Sequence, residues 1–217
     1  MKILYGLVLG CLMLMGQYHP AGPAFSTSGG GSCPATLPFS CTLIGSGALP
    51  ASFIQTTASS YVALVLGASG AVSTTGTGAG IAVVNGVTFP TSQFAQGTIV
   101  SVGSNATGLC VQMDTQGDGQ CFIGLANVNE LNNGGGGTGF SCPLTSPQAS
   151  GDVFKIASTG PNPGATITVT DVTHSTTVCS GTAASASGGG AGGPRAAVIV
   201  DNRSGATTDR VSGFTAD

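Results

Sequence analysis

The chain has 217 residues, of which 41 % are hydrophobic and only 6 % are charged, and its formal net charge is −3. Its five Lys and Arg residues are too few for a phosphate-binding surface, which argues against nucleic acid as a partner. Glycine contributes 37 residues, and a chain rich in Gly, Ser and Thr favours strands joined by tight turns over helices. At this length we expect one all-β sandwich or barrel domain.

Residues 1–24 resemble a secretory signal peptide. Lys2 supplies a positive start, residues 3–16 are apolar, and the small residues Gly22 and Ala24 precede the expected cleavage point. The apolar stretch is shorter than the about 20 residues that cross a membrane, so cleavage and secretion are favoured over an uncleaved anchor. If the segment stays uncleaved, it is the expected contact of the chain with a membrane.

A lipid anchor and a flexible arm are the other features expected near the N-terminus. The residues before Cys11 loosely match a lipobox, but the apolar run continues past this cysteine, which disfavours a lipid anchor. Residues 25–40 are rich in Gly, Ser and Pro and predict a flexible arm. The folded domain is then expected over residues 41–217.

Short strand candidates follow, separated by turns that contain Gly, Ser or Asn. They lie at residues 41–44, 60–66, 81–84, 94–102, 109–113 and 121–125. In the C-terminal third, residues 165–170 alternate aliphatic residues with Thr, which predicts a half-buried strand, whereas 195–201 is a nearly continuous apolar run, which predicts a strand covered on both faces. Regular short strands without helical period predict a single sandwich or barrel.

Removal of the leader leaves six cysteines, and an even number in a secreted chain indicates disulfide bonds. Six cysteines allow 15 connectivities, among which the sequence does not choose. We favour near neighbours, and a hairpin around residues 115–119 gives one of these pairs a physical reason. The favoured pairs are Cys33–Cys41, Cys110–Cys121 and Cys142–Cys179. A zinc site is the competing interpretation, but the chain has no CxxC pair.

Four stretches resemble the concanavalin A-like lectin/glucanase superfamily, in its laminin-G-like jelly-roll branch. They lie at residues 59–84, 108–125, 150–172 and 193–217. The resemblance implies a single jelly-roll β-sandwich of two antiparallel sheets. Many members of the superfamily bind carbohydrate on the concave sheet, while others are enzymes or adhesive modules.

The glucanase members carry a cluster of carboxylates on one strand, and retaining hydrolysis needs two carboxyl groups about 5 to 5.5 Å apart. This chain has one glutamate, Glu130, and no second acid within ten residues of it. We expect Glu130 to be an exposed loop residue. The glucanase activity of the family is therefore not carried over, and we expect a protein that is not an enzyme.

Acidic residues beside glycines raise the question of a calcium site. Asp114 and Asp118 offer carboxylate oxygens, which Ca²⁺ prefers, but they lack the EF-hand spacing and turn formation is the competing role. Asp152 and Asp171 lie at the ends of predicted strands, where we expect turn or capping roles. His174 is expected to be an exposed strand residue.

Four glutamines in or beside predicted strands could line a binding face: Gln93, Gln96, Gln112 and Gln120. The sequence thus favours a secreted, non-catalytic module that binds a polysaccharide or another extracellular ligand. The alternative is a structural or adhesive subunit of an extracellular assembly, such as a filament, surface layer or virion. A surface with few charges offers little repulsion between copies, and edge strands offer pairing sites for self-association.

Overall fold

The computed structural model describes residues 33–56, 61–73, 78–101, 107–132, 135–136, 139–142, 149–183, 193–201 and 209–217. Over these residues the chain forms strands and turns and no helix, so the all-β prediction is confirmed. In the same part of the chain, no helix is long and apolar enough to cross a membrane. The predicted signal peptide lies outside the described residues.

Seventeen strands form within the described part of the chain. They are β1 (Phe39–Cys41), β2 (Gly47–Ala48), β3 (Phe53–Gln55), β4 (Leu64–Gly67), β5 (Gly70–Ser73), β6 (Ala79–Val84), β7 (Gln93–Val100), β8 (Gly108–Val111), β9 (Gly119–Ile123), β10 (Asn127–Asn132), β11 (Gly135–Gly136), β12 (Phe140–Ser141), β13 (Val153–Thr159), β14 (Thr166–Asp171), β15 (Thr176–Thr182), β16 (Ala197–Asp201) and β17 (Arg210–Ala216).

These strands build two antiparallel sheets, as predicted. The first sheet has the order β15-β14-β13-β7-β17-β5-β4-β2, and β1 also pairs with β17. The second sheet has the order β11-β10-β9-β8-β16-β6-β3, and β12 also pairs with β10. Many neighbours within a sheet are distant in sequence, as in the pairing of β7 with β17 and of β16 with β6.

The main core lies between the two sheets. Side chains along β7 alternate between buried and half-buried, which is the period-2 pattern of a strand with one face on a core. Phe122 of β9 and Phe154 of β13 come from opposite sheets, and their ring centroids are 5.4 Å apart. A second group of edge-to-face rings joins Phe39, Phe53 and Phe214. Burial of these rings supplies much of the hydrophobic stabilisation.

The second sheet is also buried on its other face. A separate apolar cluster there includes Ile81 of β6, Cys121 of β9 and Ile199 of β16. All five residues of β16 are buried. The continuous apolar run at residues 195–201 therefore has the predicted cause, because both faces of this strand are covered.

Three disulfides join the six cysteines in the favoured pairs, Cys33–Cys41, Cys110–Cys121 and Cys142–Cys179. Cys110 and Cys121 are directly opposite each other on β8 and β9, as the predicted hairpin required. The third bond connects the segment after β12, in the second sheet, to β15 at the edge of the first. It therefore ties the two sheets together.

Candidate functional site

A cleft with a volume of about 200 Å³ opens at one end of the sandwich. Its walls come from the start of β7, the end of β8, the β13–β14 loop and the segment that leads into β16. The lining residues are Thr91, Gln93, Gln112, Pro161, Asn162, Gly193 and Pro194. Polar contacts converge here on a partly apolar wall, which is the usual character of a small-ligand site.

Gln93 and Gln112 form the floor of the cleft and link the two sheets. Gln93 begins β7 in the first sheet, and its Oε1 accepts a hydrogen bond of 3.2 Å from the backbone N–H of Gln112, which follows β8 in the second. Gln93 Nε2 donates to the carbonyl of Pro90 at 3.3 Å. Both side chains are almost fully buried, with 4 % and 3 % of their surface exposed.

Gln112 has an unusual backbone conformation, with a φ of 53°. Non-glycine residues rarely adopt this left-handed region, and such strain is often found at functional positions. The side-chain Nε2 donates a hydrogen bond of 3.0 Å to the carbonyl of Gly160. This bond holds the amide against the β13–β14 loop and fixes the direction of its oxygen.

Two amide oxygens of the cleft have no hydrogen-bond partner among the described residues. They are Gln112 Oε1 and Asn162 Oδ1, and both atoms are buried. A buried acceptor that has lost its water costs about 1–3 kcal/mol when nothing replaces that water. Two residues of the cleft lining therefore carry an amide oxygen that lacks a hydrogen-bond donor.

The walls around these oxygens are neutral. Pro161 and Pro194 supply apolar rings, and the lining residues carry no charge in the part of the chain described. Gly193 has a specific reason to be glycine, because a Cβ there would lie 2.6 Å from the carbonyl oxygen of Met113 and 2.9 Å from the Cα of Asp114. The backbone of the wall thus packs directly on the end of the β8 hairpin.

The four predicted glutamines separate into three places. Gln93 and Gln112 meet in the cleft. Gln96 is half-buried on the opposite face of β7, where neighbouring Lys155 lies with its Nζ 4.0 Å from the ring centroid of Phe94. Gln120 is buried on β9 opposite Glu130. Sequence reasoning missed Asn162, whose PNPG surroundings indicated only a turn.

Asp114 and Asp118, the suggested calcium ligands, close the β8–β9 hairpin. Asp114 Oδ1 accepts hydrogen bonds from the N–H groups of Gln116 at 2.8 Å and Asp118 at 2.9 Å. The backbone N–H of Asp114 in turn donates to the carbonyl of Asp118. These contacts are those of a turn-forming aspartate, and calcium binding at the pair stays a prediction.

A second polar cluster lies where β13 begins and β14 ends. Asp152, Asp171 and His174 offer ligand atoms that all lie within 4.8 Å of one another, so these three residues could hold a metal ion. Asp171 ends β14, and both aspartates accept backbone hydrogen bonds, as expected for turn or cap residues. His174 is exposed as predicted, but it lies in the β14–β15 turn rather than on a strand, because the hydrogen bonds of Asp171 close the turn there.

The expectation that Glu130 is an exposed loop residue is wrong. Glu130 lies on β10 with 4 % of its surface exposed, because its strand pairs with β9 and turns this side chain toward the core. Desolvation by burial raises the pKa of Glu130 above its ordinary value of 4.5, and the nearby charge of Asp118 raises it further. Glu130 does not line the cleft.

No family model matches the chain, and no curated protein matches it. Among solved structures, the chain is similar to sheep galectin-11 in complex with glycerol, at 12 % sequence identity and a TM-score of 0.36. The match covers 63 % of this chain and 94 % of that one. A likeness at this level assigns neither residues nor a ligand to the chain, and membership of the concanavalin A-like superfamily stays a prediction.

Proposed function

We propose that this protein is a secreted, non-catalytic β-sandwich module of the concanavalin A-like type, and that it binds a neutral carbohydrate in the cleft between Gln112 and Asn162. The observation that carries the proposal is the pair of unpartnered amide oxygens at these two residues. Carbohydrate hydroxyls are donors, and a hydroxyl placed on each oxygen would satisfy an acceptor that is otherwise buried without a partner.

The electrostatics of the cleft support a neutral ligand rather than an anionic one. The lining residues include two amide oxygens without a donor, which disfavour a carboxylate or a phosphate nearby, and no cationic side chain lines the cleft among the described residues to offset this. The rings of Pro161 and Pro194 provide apolar surface for the C–H face of a sugar. They take the place of Trp, which this chain lacks.

The same lining supports a binding role over a catalytic one. In the described part of the chain, the cleft is lined by no carboxylate, imidazole or thiol. A hydrolase needs a general acid or a nucleophile within hydrogen-bond reach of the reacting bond. The leader-like residues 1–24 and the three disulfides support secretion into an oxidising environment.

A second candidate function is the structural or adhesive subunit. It is favoured by β15, which ends the order of the first sheet and contains no charged residue over Thr176–Thr182. Strand edges without charges can pair with an edge of another copy. A concentration-dependent oligomer in size-exclusion chromatography, lost when Thr177 is changed to Lys, would favour this function.

The test of the carbohydrate proposal is a binding panel of neutral and acidic polysaccharides, with Gln112→Leu compared against Gln96→Leu. We expect saturable binding to a neutral class, a loss of at least about tenfold in affinity for Gln112→Leu, and wild-type affinity for Gln96→Leu. Gln96 is a matched control because it is also a glutamine but lies on β7 outside the cleft. Silence across the panel, or equal binding by Gln112→Leu, would contradict the proposal.

A further inference from the structure

The cluster of Asp152, Asp171 and His174 is separate from the residues of the cleft, and its geometry is that of a small ligand set. His174 Nδ1 lies 2.8 Å from Asp171 Oδ2 and 3.5 Å from Asp152 Oδ2. The three residues come from three different positions: the residue before β13, the last residue of β14 and the turn before β15. The sandwich therefore brings one nitrogen and two carboxylate oxygens to one point.

The charges of this cluster do not balance within the described residues. Asp171 is fully buried, and a buried carboxylate is costly unless a cation or several donors accompany it. No Lys or Arg side chain in the described part of the chain forms an ion pair with either aspartate; His174 is the partner of both. The imidazole can donate its one Nδ1 proton to one carboxylate oxygen. The carboxylate of the other aspartate therefore receives little compensation for its charge from His174.

We propose that Asp152, Asp171 and His174 bind a divalent transition metal of the zinc class. An imidazole nitrogen with two carboxylate oxygens is a donor set for Zn²⁺ and its first-row neighbours. Ca²⁺ and Mg²⁺ are disfavoured, because both take oxygen ligands and larger coordination numbers. The ion would supply the positive charge that the two carboxylates lack.

Of the two distances from His174 Nδ1, one suits such an ion and the other needs a small change. Two ligands that are each about 2.1 Å from a tetrahedral metal lie about 3.4 Å apart. The 3.5 Å separation between His174 Nδ1 and Asp152 Oδ2 already has this value. The 2.8 Å contact with Asp171 Oδ2 needs to open by about 0.6 Å, which a small rotation of the exposed imidazole provides.

Backbone contacts hold the ligands in place, as the outer contacts of metal sites do. Asp152 Oδ2 accepts a hydrogen bond of 2.7 Å from the N–H of Ala149, and Asp171 Oδ1 accepts one of 3.1 Å from the N–H of His174. The turn itself is fixed by a bond from the N–H of Val153 to Thr173 Oγ1 at 2.8 Å. About a third of the His174 side chain is exposed, so a metal ion can reach the cluster from solvent. Water can then take the fourth coordination position of the ion.

A bound ion would join the start of β13 to the β14–β15 turn, and it would stabilise the folded chain by mass action. The test uses the secreted chain without a polyhistidine tag, with its disulfides intact and with metal removed by a chelator that is then dialysed away. Zn²⁺ is titrated by calorimetry, thermal unfolding is followed with and without Zn²⁺, and Co²⁺ is used as a spectroscopic probe. We expect one site per chain, a rise in Tm with Zn²⁺, and visible Co²⁺ absorption.

Two variants and a control make the result specific. His174→Gln removes the imidazole but keeps a hydrogen-bond donor for Asp171. Asp152→Asn removes the negative charge but keeps an acceptor for the N–H of Ala149. Each variant should weaken Zn²⁺ binding by more than about 100-fold. Asp114→Asn changes a turn aspartate elsewhere and should bind like the wild type. The proposal is overturned if wild-type binding is weaker than about 1 mM, or if His174→Gln binds Zn²⁺ as the wild type does.

Discussion

Glu130 on β10 and Gln120 on β9 lie directly opposite each other in the second sheet, and both are buried. Despite this, Glu130 Oε1 and Gln120 Nε2 have no hydrogen-bond partner among the described residues. An acceptor and a donor that face the same core without a bond leave both groups desolvated. This pair is therefore a destabilising feature of the buried part of the second sheet.

We predict that Glu130→Gln stabilises the protein at neutral pH by about 0.5–2 kcal/mol. Burial, followed by the charge of Asp118, raises the pKa of Glu130 in the folded chain above the ordinary 4.5 that it has when unfolded. Below pH 4.5 Glu130 is protonated in both the folded and the unfolded chain. As the pH rises from there through the raised pKa, Glu130 ionises more readily in the unfolded chain, and the free energy of unfolding falls. The neutral amide of the variant removes this loss.

Urea denaturation at pH 4 and pH 7 measures the effect. The gain in the free energy of unfolding should appear at pH 7 and shrink at pH 4, because Glu130 of the wild type is protonated there. Gln96→Glu is the control, since it places a carboxyl on the half-buried outer face of β7. A Glu130→Gln variant that is equally stabilised at both pH values would show that ionisation of Glu130 is not the cause.

The strain at Gln112 leads to a second prediction. Asn tolerates a positive φ better than Gln does, but it is one methylene shorter and cannot reach both Gly160 and the ligand. We expect Gln112→Asn to change the free energy of unfolding by no more than about 1 kcal/mol while carbohydrate affinity falls at least about tenfold. Thermal unfolding and binding are measured on the same sample, and a parallel loss of both would indicate a purely structural role.

A third prediction concerns the cleft wall at Gly193. A Cβ added there meets the backbone of Met113 and Asp114, which cannot yield without moving the wall. We expect Gly193→Ala to lower the free energy of unfolding by about 1–3 kcal/mol and to weaken carbohydrate binding. Gly97→Ala is the comparison, since its closest contact is longer, at 3.3 Å, and Gly97 does not line the cleft. Equal carbohydrate affinity in the two variants would contradict the packing argument.

The fold class followed from local patterns that have a direct physical cause. The alternation of Thr with aliphatic residues in β14 reflects one buried face, and the apolar run of β16 reflects two. Glu130 was misplaced because the surrounding NVNELN has no alternation strong enough to identify a strand. Its burial depends on the pairing of β10 with β9 and on the opposite sheet, which local sequence does not encode.

The candidate site was predictable only in part for the same reason. Gln93 and Gln112 were proposed as binding residues by their polarity beside strands, but their contact bridges two different sheets. Asn162 and Gly193 come from connections far away in sequence, so their approach to the glutamines follows from the complete topology. For the cluster of Asp152, Asp171 and His174, the only local signal was the i,i+3 spacing of Asp171 and His174. Asp152 comes close to them only because β13 pairs with β14.

The disulfides give the last prediction, because two of them close loops of very different length. Cys110–Cys121 spans 11 residues within one hairpin, whereas Cys142–Cys179 spans 37 residues and connects the two sheets. In the chain-entropy model, removing the first costs about 3 kcal/mol and removing the second about 4 kcal/mol. We expect Cys142→Ala with Cys179→Ala to lower Tm more than Cys110→Ala with Cys121→Ala, when both are measured by thermal unfolding under non-reducing conditions.

Cys110 and Cys121 also pack in the apolar cluster on the outer face of the second sheet. Replacing both by Val removes the disulfide but keeps an apolar side chain at each position, which separates the loss of packing from the loss of the bond. If the hairpin variant is still the less stable one after that substitution, loop closure does not set the order.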